Sequence, residues 1–143
     1  MKLHIVTVGE PHLAYARAGW DEYFKRLGRY HQLRVTHVAD KYAYDPKFIA
    51  NTIGSAYKVI LEITGQQFTS HELADFLTKR EIESREVCFV IGGPEGLPQE
   101  IRQAADLQWS FSRLTFPHDL AMVILLESIY RAATINANHP YHK

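Results

Sequence analysis

The sequence has one cysteine, no surplus of either charge and no apolar run of membrane length, and each shortage removes a class of function. With Cys88 alone, no internal disulfide can form. Its setting, Val87-Cys88-Phe89-Val90-Ile91, reads as a buried strand in which the thiol is a small hydrophobe rather than a nucleophile. Lys plus Arg number 16 and Asp plus Glu number 16, which excludes the strongly basic surface of a general nucleic-acid binder. No stretch reaches the length of a membrane span or a signal segment, so a cytoplasmic protein with no membrane partner is expected.

The charge is nevertheless uneven. Residues 1–71 carry 9 basic and 6 acidic side chains, and residues 72–143 carry 7 and 10. The basic surplus suggests a face around Arg26, Arg29, Arg34 and Lys41, which reads equally as a solvated surface or as a contact for RNA. With 143 residues, 46% of them hydrophobic, the chain is long enough for one well-packed domain and too short for two ordinary ones, so residues 1–143 are expected to form a single domain.

Strand and helix patterns alternate along it. Lys2 to Val8 reads as a strand ended by Gly9, and Leu13, Ala16, Trp20, Phe24 and Leu27 then recur at helical spacing up to Gly28. A second strand spans Leu33 to Val38, and a short helix is expected after Pro46. Lys58 to Ile63 is a third strand ended by Gly65. Thr69 and Glu72 have capping-box spacing ahead of Leu73, Phe76 and Leu77. Val87 to Ile91 is apolar throughout, as a strand covered on both faces must be, and Pro98 is placed to open the next helix. A last strand near Trp109 to Leu114 leads to a long helix marked by Leu120, Val123, Ile124, Leu126, Ile129 and Tyr130, with Asp119 near its cap. The alternation predicts an α/β fold, a parallel sheet flanked by helices with its ligand site beyond the carboxyl ends of the strands.

The chemistry-bearing segments are few. Gly92-Gly93-Pro94-Glu95-Gly96 follows the most apolar strand, where glycines let backbone approach a ligand or simply make a tight turn. Neither a dinucleotide fingerprint nor a Walker loop is present, and no G-x-S-x-G elbow anchors a hydrolase. His139 and His142 have metal-ligand spacing but lack further ligands nearby and are separated by Pro140, so no metal is expected. The tail Asn138 to Lys143, which has no core periodicity, is either a frayed end or part of a site.

Three blocks together carry a resemblance: Val90-Ile91-Gly92-Gly93-Pro94-Glu95-Gly96-Leu97; Trp109 to Ser112 with Phe116-Pro117-His118; and Glu127-Ser128-Ile129-Tyr130-Arg131-Ala132 with His139-Pro140-Tyr141-His142-Lys143. In order and spacing, the chain resembles the RlmH-type family of SPOUT-class ribosomal RNA methyltransferases. The resemblance implies a sheet whose C-terminal part is threaded into a trefoil knot, a homodimer, and S-adenosylmethionine as cofactor. The implied reaction is methyl transfer to N3 of a pseudouridine in 23S large-subunit ribosomal RNA within the assembled ribosome. It also implies that Leu61, Gly92 and the loop Phe111, Ser112, Arg113, Leu114, Thr115 and Phe116 hold the cofactor.

Methylation at a ring nitrogen requires loss of the N3 proton and no covalent adduct. His142 is the first candidate for the base, because an imidazole with a pKa of about 6.5 is largely neutral at pH 7. His118 and Arg131 are candidates to position the substrate, and Tyr141 to stack on the base. The apolar stripe Leu120, Met122, Ile124 and Ile129 exceeds what one short sheet needs to cover, which favours the dimer. Two features depart from the family pattern: Met122 stands where a polar residue is usual, and the stretch from Val38 to Lys58 is short. The alternatives are a SPOUT methyltransferase acting on another RNA and a non-catalytic dimeric module that binds cofactor or RNA.

Overall fold

In a computed structural model describing residues 1–143, β4 (Val87–Ile91) is buried along its whole length, with no residue more than 5% exposed. A strand so covered needs neighbours on both edges and helices on both faces, and the chain supplies them. The elements run β1 (Lys2–Val8), α1 (Ala14–Leu27), β2 (Gln32–Val38), α2 (Pro46–Ile53), β3 (Tyr57–Gln66), α3 (Ser70–Ile82), β4, α4 (Gln99–Ala104), β5 (Leu107–Trp109) and α5 (His118–Asn136). They form one five-stranded sheet in the order β2-β1-β4-β3-β5, with every pairing parallel, as the alternation of strands and helices predicts.

Alternate residues of the strands feed two cores. Leu3, Ile5, Val59, Val87 and Phe89 face α1, α3 and α5, where they meet Trp20, Leu27, Leu73, Leu77, Met122 and Ile129. Val6, Val8, Ile60, Cys88 and Val90 face α2 and α4, against Ile49, Ile53 and Ile101. Cys88 is fully buried, and that burial pushes its thiol pKa up to about 12, so it is core and not nucleophile. α5 packs against both α1 and α3. Its Met122 and Ile129 are fully buried and Leu120 and Ile124 half-buried, so the stripe read as surplus is largely consumed by the chain's own core. Met122 occupies that core rather than a substrate surface. The segment between β2 and β3 is ordered by a single 3-10 turn, Asp40–Tyr42, and by α2, whose N-terminus is capped by Asp45 accepting from the Phe48 N–H at 3.0 Å.

Thr69 and Glu72 make the expected reciprocal capping box, at 3.0 and 2.9 Å. Three expectations are corrected. Gly65 does not end β3, which continues to Gln66. A Cβ there would lie 2.6 Å from the Gln108 carbonyl oxygen, so glycine permits close approach to β5. The last strand stops at Trp109 instead of reaching Leu114, because Ser110 Oγ donates to the Ser112 carbonyl at 2.9 Å and the Leu114 N–H donates to Ser112 Oγ at 3.0 Å, local bonds that replace a ladder. Asp119 does not cap its own helix. Its Oδ2 accepts the N–H groups of His12 at 2.8 Å and Leu13 at 2.7 Å, capping α1, whose own N-cap Leu13 has no side chain able to do so.

Burial works against the Asp119 carboxylate, yet those two N–H donors outweigh it and hold its pKa below the ordinary carboxylate value. Asp119→Ala is therefore expected to cost about 1–3 kcal/mol, the usual loss when a charge-assisted bond leaves buried donors unpaired. Urea unfolding of parent and variant at pH 7 measures this, and an unchanged midpoint would remove the cap from the account.

His31 behaves oppositely to a surface imidazole. Burial, and next the N-terminal ammonium whose nitrogen lies 3.4 Å from Nδ1, push its pKa down to about 4. The unfolded chain then binds the proton more readily, so this contribution to stability is intact above pH ~6.5 and is lost as pH falls toward 4. A shallower acid limb in the stability profile of His31→Gln than of the parent is the expected result.

Candidate active site

The carboxyl ends of β3, β4 and β5 open into a cavity of about 580 Å³. Of the eight residues expected around a cofactor, Leu61, Gly92, Phe111, Ser112, Leu114, Thr115 and Phe116 line it, while Arg113 is exposed and is not part of the wall. His118 also lines it, with Nε2 donating to the Val8 carbonyl at 2.7 Å, which ties the start of α5 to the end of β1. Glu62, Glu95 and Arg102 add charge that the sequence reading passed over. Glu62 and Arg102 approach only to 4.0 Å, so both keep hydrogen-bonding capacity toward the cavity.

The glycine loop has a reason of its own. Gly93 and Gly96 bridge each other, the Gly96 N–H donating to the Gly93 carbonyl at 2.9 Å, and Gly96 sits at φ +85°. A Cβ on Gly92 would lie 2.8 Å from both the Gly96 carbonyl carbon and Leu97 Cγ. Gly92 is thus required by the turn folding back on itself, and the cavity wall inherits that tightness.

The tail forms a second cluster. It is not frayed: the Tyr141 ring packs edge-on against Tyr130 at 4.7 Å, and the Arg131 guanidinium lies 4.8 Å from the Tyr141 ring centre. Glu127 Oε1 accepts from Arg131 Nη2 at 2.6 Å, Arg131 Nε at 3.0 Å and the Tyr141 hydroxyl at 3.0 Å. Because the Tyr141 proton goes to Glu127, the Tyr23 hydroxyl, 3.2 Å away, is the donor to Tyr141. Burial first, then the Tyr23 bond and the Glu127 charge, raise the Tyr141 pKa, and Glu127 raises that of Arg131. Arg131 Nη1 meets His142 Nδ1 at 3.2 Å, and the His71 ring stands edge-on to His142 at 5.1 Å.

Arg131, Tyr141 and His142 are therefore brought together, while His118 belongs to the cavity. None of the three lines the cavity, and Arg131 lies thirteen residues past His118 on α5, roughly 20 Å along the helix. Sequence reasoning missed Glu127 and Tyr23, although the four-residue spacing of Glu127 and Arg131 was a readable sign of an ion pair. His139 Nδ1 accepts the Tyr141 N–H at 3.2 Å, and no group of three or more His, Cys, Asp or Glu is assembled that could hold a metal. Two members of the suggested basic face are engaged, Arg26 with Glu22 at 2.7 Å and Arg34 with Glu86 at 3.1 Å. No helix is long and apolar enough to cross a membrane.

A family model described as "Predicted SPOUT methyltransferase" matches residues 1–142. The chain belongs to the SPOUT methyltransferase family. It is an enzyme of that family, and the family's chemistry calls for a methyl donor. Relatives named ribosomal RNA large subunit methyltransferase H include those of Deinococcus deserti, 48% identical with full coverage of both chains, and Deinococcus radiodurans, 47% identical over all of this chain and 99% of its own. That of Acinetobacter baumannii is 35% identical, covering all of this chain and 99% of the relative in an alignment of 158 positions, longer than this chain itself. Among solved structures, a probable methylase family protein from Haemophilus influenzae superposes with TM-score 0.61 at 14% identity, over 99% of this chain and 70% of that one. A tRNA (m1G37) methyltransferase from Aquifex aeolicus does so with TM-score 0.54 at 13% identity, over 90% and 68%. At such identities these two likenesses concern the fold alone.

Gly92→Ala is expected to cost about 1–3 kcal/mol through overpacking of the turn. Thermal or urea unfolding tests it, and a variant as stable as the parent would show that the loop relaxes freely.

Proposed function

We propose that this protein, acting as one domain over residues 1–143, is a cytoplasmic S-adenosylmethionine-dependent methyltransferase. Its target would be N3 of a pseudouridine in large-subunit ribosomal RNA, reached within the assembled ribosome. The observation carrying the reading is the pairing of a cavity at the strand ends with a fixed polar cluster on the tail, in a chain 48% identical over its full length to a ribosomal RNA large subunit methyltransferase H.

The cavity fits the cofactor in size and chemistry. About 580 Å³ falls within the range of small-molecule sites, Leu61, Phe111 and Phe116 supply apolar walls, and Glu62 and Glu95 supply negative charge suited to a cationic ligand. When bound, the cofactor supplies an electrophilic methyl group on a sulfonium. The loop from Phe111 to Phe116, with Leu61 and Gly92, would hold it, and Arg131, Tyr141, His142 and His118 would act on the nucleotide.

Cavity and tail do not meet within one chain, which supports a homodimer in which the tail of one protomer completes the cavity of the other. The reading includes the family's C-terminal trefoil knot. A protein with formal net charge zero gains little from non-specific phosphate attraction, which favours a preformed ribosomal surface over free RNA.

Labelled methyl should enter large-subunit RNA of ribosomes from a strain lacking the modification, at the N3 position of a pseudouridine. The product S-adenosylhomocysteine should bind in titration calorimetry, and light scattering should give a dimeric mass. Methylation of transfer RNA instead of ribosomes would redirect the reading to another RNA, and cofactor binding with no transfer to any RNA would favour a binding module.

A further inference from the structure

The cluster around His142 fixes more than its position. An arginine guanidinium has hydrogen-bond donors and no acceptor, so the contact between Arg131 Nη1 and His142 Nδ1 at 3.2 Å requires a lone pair on Nδ1. A neutral imidazole with its lone pair on Nδ1 carries its proton on Nε2. Arg131 cannot turn away readily, because Nε and Nη2 both donate to Glu127 Oε1, at 3.0 and 2.6 Å, and its guanidinium rests against the Tyr141 ring. The remaining groups facing His142 are His71 from α3, whose ring meets it edge-on, and the neighbouring tail residues, with Tyr23 of α1 behind Tyr141.

We propose that His142 acts on the substrate as a hydrogen-bond donor through Nε2–H, held in that tautomer by the Glu127–Arg131 pair, in place of the base role expected from the sequence. The proposal rests on the methyltransferase reading above. The N3–H of a pseudouridine is an imide N–H between two ring carbonyls. When it breaks, the proton goes to solvent and the electron pair stays on the ring, shared between N3 and the two carbonyl oxygens. N3 then forms its bond to the methyl carbon as the carbon–sulfur bond breaks, the pair returning to sulfur as a neutral thioether. A donor on a flanking carbonyl oxygen, with the Arg131 charge behind it, stabilises the ring anion where charge accumulates. Glu127 touches neither reactant and is a positioning residue.

The two roles separate by variant and by pH. Glutamine can accept from Arg131 and donate from its amide, yet it has no basicity, and near the chain end it leaves the core untouched. His142→Gln should therefore keep methyl transfer to ribosomes within about tenfold of the parent, whereas His142→Ala should lose about 10²–10³-fold, the usual cost of one such donor. Parent activity should keep rising above pH 7 with a logarithmic slope of about one, as proton loss to solvent demands, rather than level off as it would with a side-chain base that is already fully deprotonated. Nitrogen NMR of histidine-labelled protein at pH 8 should show His142 protonated on Nε2 and bare on Nδ1. A proton on Nδ1 would overturn the proposal, as would a His142→Gln enzyme as inactive as His142→Ala with a parent rate flat above pH 7. If the parent transfers no methyl to ribosomes, the functional reading fails instead, while the NMR measurement still decides the tautomer.

Discussion

The burial of β4 on both faces is the constraint on which the rest of the structure hangs. A strand covered by helices above and below, and by β1 and β3 at its edges, leaves only its ends near solvent. In a parallel sheet the carboxyl ends lie together, so the loops after β3, β4 and β5 must share one rim. The glycine turn, the end of β3 and the Phe111–Phe116 loop form a cavity there for that reason. The two ties at the start of α5, His118 to Val8 and Asp119 to the first turn of α1, then fix the long helix over the same rim.

Much of this was legible in sequence because local chemistry and global packing agree. The unbroken apolar run of β4, the Thr69–Glu72 box and the helical spacing of Leu13 to Leu27 each report a physical requirement that is local to the segment. Two of the errors arose where the requirement was long-range, and the third where a local bond competed with the strand ladder. Gly65 looks like a strand terminator because glycine usually is one, but its reason lies across the sheet, in the Gln108 backbone. Asp119 looks like a cap for its own helix, and caps another roughly a hundred residues away in sequence. Ser110 to Leu114 has strand-like alternation, yet its serines offer the backbone nearer partners.

The candidate site divides in the same way. Most of the expected cavity residues lie in or beside two family blocks, around Gly92 and from Phe111 to Phe116, that are contiguous in sequence, and seven of the eight sit on its wall. The tail was harder to read, because Tyr141 and His142 gain their order from Tyr23, His71 and Glu127 on α1, α3 and α5. Periodicity cannot report a cluster assembled from three helices. Membership of the SPOUT family supplied what composition withheld, since formal neutrality with a small basic surplus in residues 1–71 does not decide between a solvated surface and a contact for RNA.

A single carboxylate oxygen that accepts from two guanidinium nitrogens and a phenol is an economical way to immobilise a chain end. Each bond alone contributes little at a half-exposed site, where solvent competes. Together they share one acceptor, so losing any one frees a donor without releasing the others, and the cluster resists fraying better than separate pairs would. The geometry also has a direction. Glu127 holds Arg131 through two nitrogens and Arg131 in turn meets His142 Nδ1, so the order of the cluster runs from α5 outward to the tail, each side chain fixed by the one before it.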